Sequence, residues 1–130
     1  MIVVTGGAGF IGSHLVSELK KIGIEKIVVV DNLRNEEKNK KLIESQTYEY
    51  IDKIDFLELI EKRAPICKEI DFIFHQGACT VTTEWDCRYM MSNNYRYSKI
   101  LLNFCLERSI PFIYASSAAV YGISSDFREK

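Results

Sequence analysis

The stretch that decides the fold is Ile2 to Gly12, IVVTGGAGFIG. Its β-branched start is typical of a buried parallel strand, and the residues after the glycines, through Ile22, carry apolar side chains at helical spacing. A strand, a glycine turn and a helix in this order predict a phosphate-binding loop. Glycines let the backbone approach a pyrophosphate, and the positive end of the helix dipole attracts its charge.

The glycines of this loop fit two patterns. Gly7, Gly9 and Gly12 match G-x-G-x-x-G, the general dinucleotide fingerprint. Gly6, Gly9 and Gly12 match the looser G-x-x-G-x-x-G. Both patterns predict a nucleotide cofactor held at these glycines, and a glycine-rich turn of an unrelated α/β protein is the alternative.

A second apolar run, at 27–30, leads to Asp31, which lies nineteen residues after Gly12. This is near the spacing at which a carboxylate meets the ribose hydroxyls of adenosine. The carboxylate favours NAD, because it repels the 2′-phosphate of NADP. Asn32 and Lys38 follow closely, however, and an inward-turned lysine would bind that phosphate. The residues therefore leave both dinucleotides open.

The composition is that of an ordinary globular domain, with 130 residues, 47% of them hydrophobic and 27% charged. We expect one domain over residues 1–130. The 17 lysines and arginines against 18 acidic residues give no positive field for nucleic acid or an anionic membrane. The sequence has no apolar run of membrane-spanning length and no signal-like leader, so we expect a cytoplasmic protein with neither partner.

The cysteines, at positions 67, 79, 87 and 105, form no C-x-x-C pair and have no histidine at metal-ligand spacing. We expect reduced thiols and no metal site.

Apolar runs alternate with helical patterns along the whole chain. Strands are predicted at 2–5, 26–31, 71–75 and 110–115 and near 47–51, and helices at about 11–22, 54–63 and 85–108. This alternation predicts a Rossmann-type α/β fold, a doubly wound parallel sheet with helices on both faces. The polar segment 32–46 is expected to form a connection or a frayed helical turn.

The strand at 71–75 runs into small residues at 76–80. Ligands of open α/β sheets lie beyond the carboxyl ends of the strands, so these small side chains are expected to admit a cofactor, with a tight turn of Gly77 and Ala78 as the alternative. His75 is interpreted as a packed strand-end histidine, because the sequence provides no carboxylate partner for it.

The long helix at 85–108 has a broad apolar surface, which indicates either a subunit interface in a homo-oligomer or internal core. Asn93 and Asn94 interrupt it, and we interpret them as hydrogen-bonding groups for the cofactor or the backbone. The last strand leads into Ser116 and Ser117, which can hydrogen-bond a substrate but lie in no G-x-S-x-G elbow.

The glycine loop at 5–12 and the segment SSAAVYG at 116–122 resemble the extended short-chain dehydrogenase/reductases that modify nucleotide sugars. Within that family, HQGAC at 75–79, TTEWD at 82–86 and NNYRYSK at 93–99 resemble the ADP-L-glycero-D-manno-heptose 6-epimerases. The resemblance implies inversion of C6″ of ADP-D-glycero-D-manno-heptose for the lipopolysaccharide inner core. It also implies bound NADP, with NAD as the second choice, acting by transient oxidation and reduction.

The resemblance also implies site residues. Cofactor contacts fall on Phe10, Ile11, Asp31, Asn32, Lys38, Lys53, Gln76, Gly77, Ala78, Cys79, Thr80 and Asn93. Ser117 matches the catalytic serine, whose partners in the family are a Tyr-x-x-x-Lys pair later in the sequence. Tyr95 and Lys99 have that spacing but precede the serine, so they are not expected to act as the pair.

We therefore expect this chain to be the cofactor-binding part of an isomerase, inactive without the Tyr-x-x-x-Lys pair and the sugar-binding domain. Two alternatives remain at this point. One is an enzyme like the UDP-galactose 4-epimerases or the nucleotide-sugar dehydratases. The histidine at position 14 is a point of resemblance to the UDP-galactose 4-epimerases. The other is a stand-alone dinucleotide-binding module without catalysis.

Overall fold

Five parallel strands form one sheet in the computed structural model, which describes residues 1–32, 49–81 and 83–123. The strands are β1 (Ile2–Thr5), β2 (Ile27–Asp31), β3 (Glu49–Asp52), β4 (Phe72–His75) and β5 (Phe112–Tyr114). Their order is β3-β2-β1-β4-β5, and every neighbouring pair is parallel. The predicted doubly wound sheet is confirmed, and its order reverses beside β1, where such sheets bind ligands.

The helical segments connect these strands. They are α1 (Phe10–Lys21), α2 (Lys53–Glu61), a 3₁₀ helix (Pro65–Glu69), α3 (Cys87–Met90), a π-helix (Met91–Arg96), α4 (Tyr97–Arg108) and a second 3₁₀ helix (Ala118–Tyr121). Most predicted bounds agree within one or two residues. The polar connection predicted at 32–46 lies, apart from Asn32, outside the described residues.

Two predicted elements begin two residues later than expected, for identifiable reasons. The strand predicted at 110–115 is shorter, because Ile110 N–H donates to the Cys105 carbonyl of α4 at 2.9 Å and Pro111 has no N–H for a sheet ladder. The helix predicted from residue 85 begins at Cys87, because Asp86 is its N-cap. That helix also contains the π-helical turn, which periodicity did not predict.

Two apolar layers cover the sheet. On one face, Val3 and Ile73 of the sheet belong to a buried cluster with Phe56 of α2 and with Leu101 and Phe104 of α4. On the other face, Val4 and Val29 pack with Val16 and Leu19 of α1. Adjacent residues of β1 therefore serve opposite layers, as the alternation of side chains along a strand requires. The predicted helices on both faces are confirmed.

The apolar surface of the long helix divides between core and solvent. Leu101, Phe104 and Cys105 are buried, whereas Tyr95 and Leu106 are more than half exposed. Part of the surface is thus internal core, as one of the two interpretations held. A subunit interface on the exposed part stays a prediction.

All four cysteines are free. Burial raises the pKa of the Cys105 thiol to about 11 and also raises that of Cys67, so neither is a reactive thiolate. In the described ranges there is no cluster of three or more His, Cys, Asp or Glu residues suited to a metal ion. In the same part of the chain, we find no helix with the length and apolar character needed to cross a membrane.

Candidate functional site

A cleft of about 440 Å³ lies at the carboxyl ends of β1, β2 and β4. Its walls are the loop after β1, the end of β2, the start of α2, the loop after β4 and one side of the helix from α3 to α4. Its volume lies within the range of small-molecule and cofactor sites. The position is the switch point of the strand order, where the sequence predicted a ligand.

The glycine loop is closed by contacts that only glycine permits. Gly6 has a φ of +68°, and a Cβ placed there would lie 2.7 Å from the Cα of Gly77. A Cβ on Gly12 would lie 2.2 Å from the carbonyl oxygen of Gly6, which also accepts a hydrogen bond from Gly9 N–H at 3.0 Å. Gly7 is confined as well, because a Cβ there would lie 2.6 Å from Cγ1 of Val29 and 3.0 Å from the carbonyl oxygen of Val4, so the loop is compatible with both glycine patterns.

The N terminus of α1 opens into the cleft, where Phe10, Ile11 and Gly12 are lining residues. The N-cap, Gly9, makes no side-chain hydrogen bond, and the first turn contains no acidic residue. The backbone N–H groups of a first turn have no partner within their own helix. A phosphate group would accept hydrogen bonds from them and would gain from the helix dipole, so this cradle fits the diphosphate of a dinucleotide.

Asp31 ends β2 and connects it to the glycine loop. The side chain is buried, with Oδ2 accepting from Ala8 N–H at 3.0 Å and Oδ1 accepting from Asn32 N–H at 2.7 Å. Asp31 and Asn32 both line the cleft. The predicted carboxylate is therefore at the site, with an orientation held by two backbone donors.

Lys53 is the one lysine or arginine among the described residues that line the cleft. It is the first residue of α2, after the N-cap Asp52. Its Nζ donates to Oδ1 of Asn93 at 2.5 Å and lies 5.4 Å from the centre of the Tyr89 ring. These contacts place a positive charge in the wall that α2 and the π-helix share.

The two asparagines of the π-helix have different roles. Asn93 lines the cleft and binds Lys53. Asn94 instead pairs with a backbone segment, because its Oδ1 accepts from Cys79 N–H at 2.8 Å and its Nδ2 donates to the Cys79 carbonyl at 2.9 Å. Of the two functions inferred for the pair, Asn93 thus has the position of a ligand contact and Asn94 holds the loop after β4.

His75 is buried at the carboxyl end of β4, which confirms that it is a packed strand-end histidine. Its Nδ1 lies 2.6 Å from Thr5 Oγ1 and its Nε2 lies 2.7 Å from Ser98 Oγ. The ring stacks on those of Tyr97 and Phe112, with centroids 5.8 and 5.7 Å away. Burial lowers the pKa of His75 to about 4, so the imidazole is neutral at physiological pH.

Tyr97 contributes a buried hydroxyl to the cleft wall. Its Oη has no hydrogen-bond partner in the described part of the chain. Burial, with Asp52 and Asp31 nearby, raises the pKa of Tyr97, so the group is a neutral donor. A hydrogen-bond acceptor of a ligand in the cleft would satisfy the Tyr97 hydroxyl. This hydroxyl, like the first turn of α1, therefore fits a polar cofactor.

Most residues inferred as cofactor contacts meet in this cleft, and two of the described site residues, Cys79 and Ser117, do not line it. Cys79 is adjacent to the wall and is held through its backbone by Asn94. Ser117 is exposed and caps the second 3₁₀ helix, its Oγ accepting from Ala119 N–H at 3.2 Å. Lys38 lies outside the described residues. The predicted residues that line the cleft are Gly6, Gly9, Phe10, Ile11, Gly12, Asp31, Asn32, Lys53, Gln76, Gly77, Ala78, Thr80 and Asn93.

Tyr95 and Lys99 are absent from the cleft wall in the described residues. Both side chains are exposed, and Lys99 Nζ lies 5.8 Å from the centre of the Tyr95 ring. This placement agrees with the expectation that they are not the family's catalytic pair.

Four lining residues were not inferred from the sequence: Thr5, Val30, Tyr89 and Tyr97. A signal for each was present. Thr5 and Val30 stand at or next to the carboxyl ends of their strands, where ligands of parallel sheets bind. Tyr89 and Tyr97 lie four residues before and after Asn93, so all three are neighbours on one side of a helix.

Comparison with known sequences gives a family match over nearly the whole chain. Residues 2–130 match the profile described as the NAD dependent epimerase/dehydratase family.

Comparison with solved structures finds similar folds among UDP-sugar epimerases. The UDP-Glc/GlcNAc 4-epimerase from Campylobacter jejuni is 25% identical with a TM-score of 0.75, and the match covers 96% of this chain and 39% of that one. UDP-glucuronic acid 4-epimerase from Bacillus cereus, solved with UDP-glucuronic acid and NAD, is 28% identical with a TM-score of 0.71, covering 99% and 44%. The chain therefore spans about two fifths of the length of these enzymes.

Proposed function

The chain belongs to the NAD dependent epimerase/dehydratase family, and we propose that its cleft binds a nicotinamide dinucleotide as the cofactor-binding part of a nucleotide-sugar epimerase. The observation that carries the proposal is the glycine cradle. In the loop from Gly6 to Gly12, the backbone of Gly6 lies close to that of Gly77 and of Gly12. The first turn of α1 opens into the cleft without a side-chain cap. A diphosphate is the ligand that such a turn binds best.

The residues around the cradle have separable roles. The first-turn N–H groups of α1 would hold the diphosphate, and Asp31 would accept from a ribose hydroxyl of the adenosine. The small residues Gly77 and Ala78 leave room for the bound molecule along the end of β4. When bound, a nicotinamide dinucleotide supplies reversible hydride transfer, while the protein positions it and excludes competing reactions.

Lys53 supports NADP as the preferred form of the dinucleotide. A lysine in the wall of the cleft offers a partner for the additional 2′-phosphate, whereas Asp31 disfavours it by charge repulsion. The carboxylate already accepts from two backbone N–H groups, which offset part of its negative potential. Several similar structures hold NAD, so NAD is the competing choice.

Calorimetric titration of the 130-residue chain with NADP⁺ and NAD⁺ tests both parts of this proposal. We expect saturable binding of both, tighter for NADP⁺. Lys53→Ala should weaken NADP⁺ more than NAD⁺, whereas Lys62→Ala, on the exposed end of α2, should weaken neither. An unchanged ratio of affinities in Lys53→Ala would exclude this lysine as the phosphate partner. Absence of binding to the folded chain would contradict the proposed function.

For the substrate we propose ADP-D-glycero-D-manno-heptose, with inversion at C6″ in lipopolysaccharide synthesis. The support is the similarity of the segments HQGAC, TTEWD and NNYRYSK to the heptose epimerases. Part of these segments lies at the cleft, because Gln76, Gly77, Ala78, Thr80 and Asn93 line it and Asn94 holds the backbone of Cys79 beside it.

A UDP-sugar 4-epimerase is the second candidate, favoured by the similar structures at 25 to 28% identity. The two candidates differ in the carbon that is inverted and in the nucleotide. A protein that carries this chain together with the Tyr-x-x-x-Lys helix should convert ADP-D-glycero-D-manno-heptose to its C6″ epimer and leave UDP-galactose unchanged. Turnover of UDP-galactose alone would establish the second candidate instead.

A further inference from the structure

A chain of hydrogen bonds runs behind the cleft and connects both ends of the loop at residues 77–79. At one end, Gly77 N–H donates to Thr5 Oγ1 at 3.2 Å, and the same hydroxyl lies 2.6 Å from Nδ1 of His75. Thr5 and His75 are the last residues of β1 and β4 and are partners in the sheet register. The first residue of the loop is thus tied to the imidazole through one hydroxyl.

At the other end, the imidazole connects to the same loop through the helix. Nε2 of His75 lies 2.7 Å from Ser98 Oγ, and that hydroxyl donates to the Asn94 carbonyl at 2.5 Å. The amide of Asn94 then makes the two hydrogen bonds to the backbone of Cys79. His75 therefore stands in the middle of a connection between Gly77 and Cys79, the two ends of the loop.

The donors and acceptors of this chain determine the tautomer of His75. A carbonyl oxygen only accepts, so the single hydroxyl proton of Ser98 is committed to Asn94. Ser98 Oγ must then accept from His75, which places the proton on Nε2. Nδ1 is consequently a lone-pair acceptor for the Thr5 hydroxyl, whose oxygen remains available to accept from Gly77 N–H. Every donor and acceptor in this series of hydrogen bonds, from Gly77 to Cys79, is satisfied in this one arrangement.

We propose that His75 is a positioning residue for the cofactor loop, a neutral Nε2–H imidazole that fixes residues 77–79 between β1 and the π-helix. This inference rests on the proposed dinucleotide site, because Gly77 and Ala78 line the cleft where the cofactor would lie. A loop that is already ordered loses less conformational freedom on binding, so the link favours affinity without touching the ligand. Burial, stacking on Tyr97 and a lowered pKa keep the ring neutral in this role.

Side-chain ¹⁵N NMR of the 130-residue chain tests the tautomer directly. We expect His75 to show a pyrrole-type Nε2 and a pyridine-type Nδ1 at neutral pH. The opposite tautomer, or a charged ring at that pH, would overturn the proposal. The measurement needs no variant, so it stands even where a substitution prevents folding.

Binding measurements with matched variants test the positioning role. Ser98→Ala removes the acceptor of the His75 Nε2–H. The control Ser92→Ala removes a similar hydroxyl, which donates to the Tyr89 carbonyl of its own helix and does not contact the histidine. We expect Ser98→Ala to weaken binding of NADP⁺ or NAD⁺ by up to about tenfold, because the loosened loop must then be ordered during binding. Ser92→Ala should bind like the wild type.

His75→Phe keeps a ring against Tyr97 and Phe112 and removes both hydrogen bonds. We expect a larger loss of affinity than in Ser98→Ala, and partial recovery in His75→Gln, whose amide can again donate. Folded Ser98→Ala and His75→Phe chains with wild-type affinity would refute the positioning role. If the wild type binds neither dinucleotide but shows the Nε2–H tautomer, the proposed function fails and the hydrogen-bonded link remains.

Discussion

Single residues shape this site in two ways: glycines lack a side chain where backbone segments meet, and polar side chains are fixed in orientation by hydrogen bonds. Gly12 has no side chain, so the first turn of α1 can press against the backbone of Gly6. Asp31 is held by two backbone donors, and His75 by two hydroxyls. The glycines and the aspartate were predictable because their spacing reflects one backbone requirement. The partners of His75 come from β1 and α4, far apart in sequence, so only the fold brings them together.

Gly12→Ala should destabilise the chain and abolish dinucleotide binding. The new Cβ would fall 2.2 Å from Gly6 O and 2.7 Å from Gly7 Cα, and both are backbone atoms that cannot turn aside. Overpacking of this kind costs about 1–3 kcal/mol or more. Urea unfolding measures the loss of stability, with Ser17→Ala on the exposed side of α1 as the control, expected within about 0.5 kcal/mol of the wild type. Equal stability of the two variants would contradict the packing described here.

The stability of the chain should fall as the pH decreases from about 6.5 to about 4. The folded-state pKa of His75 is about 4, below its ordinary value of 6.5, so between these values the unfolded chain binds more protons. The contribution of His75 to the free energy of unfolding is fully present above pH 6.5 and falls by up to about 3 kcal/mol towards pH 4. The ring faces the hydroxyls of Thr5 and Ser98 and the rings of Tyr97 and Phe112, of which only the tyrosine titrates and only at high pH.

Urea unfolding across this pH range measures the effect. His75→Phe should lose most of the dependence between pH 4 and 6.5, whereas His14→Asn, which removes the exposed second histidine, should retain it. The same slope in His75→Phe and the wild type would assign the effect to carboxylates instead.

At the scale of elements, the helix from Cys87 to Arg108 delivers one side of the cleft. Its three segments, α3, the π-helix and α4, present Tyr89, Asn93 and Tyr97 to the cleft and Asn94 to the loop after β4. Periodicity predicted a helix over nearly this range, because its apolar residues follow helical spacing. The π-helical turn was not predictable, since such turns are rare single-turn bulges within α-helices and apolar spacing gives no signal for them.

Asp86→Ala should loosen this helix at its N terminus. Asp86 Oδ1 accepts from the N–H groups of Arg88 and Tyr89 at 2.9 and 3.0 Å, and removal of such a cap costs about 1 kcal/mol. We expect a loss of that size in urea unfolding, and a several-fold weaker affinity for the dinucleotide because Tyr89 and Asn93 follow directly. Asp86→Ser, which keeps a capping oxygen, should recover most of both. An alanine variant as stable as the serine variant would show that the cap is not needed.

At the scale of the whole molecule, the sheet has a strand at its border that is exposed on one side. In the described residues β5 pairs with β4 alone, and its Ile113 and Tyr114 are more than half exposed. The parallel order of the strands was predictable from the alternation of apolar runs and helices. Whether another subunit covers a surface was not predictable, because exposed apolar residues on β5 and on α4 look alike in sequence.

The 130-residue chain should self-associate through this border. An edge strand with apolar side chains offers free hydrogen-bonding groups to another chain, and a lysine on the edge opposes such pairing. We expect the sedimentation coefficient to rise with concentration, and to rise less in Ile113→Lys. A chain that stays at the monomer mass of 15.0 kDa over the whole concentration range would refute this prediction.

The site itself is tested most directly by mapping the backbone amides of the ¹⁵N-labelled chain while NADP⁺ is added. If the glycine cradle holds the diphosphate, the amides of Phe10, Ile11 and Gly12 should shift most, because they form the first turn of α1 at the cleft. Smaller shifts should follow at Asn32 and Ala78 along the walls. A folded chain whose first-turn amides do not move, or whose shifts gather on another surface, would contradict the dinucleotide site.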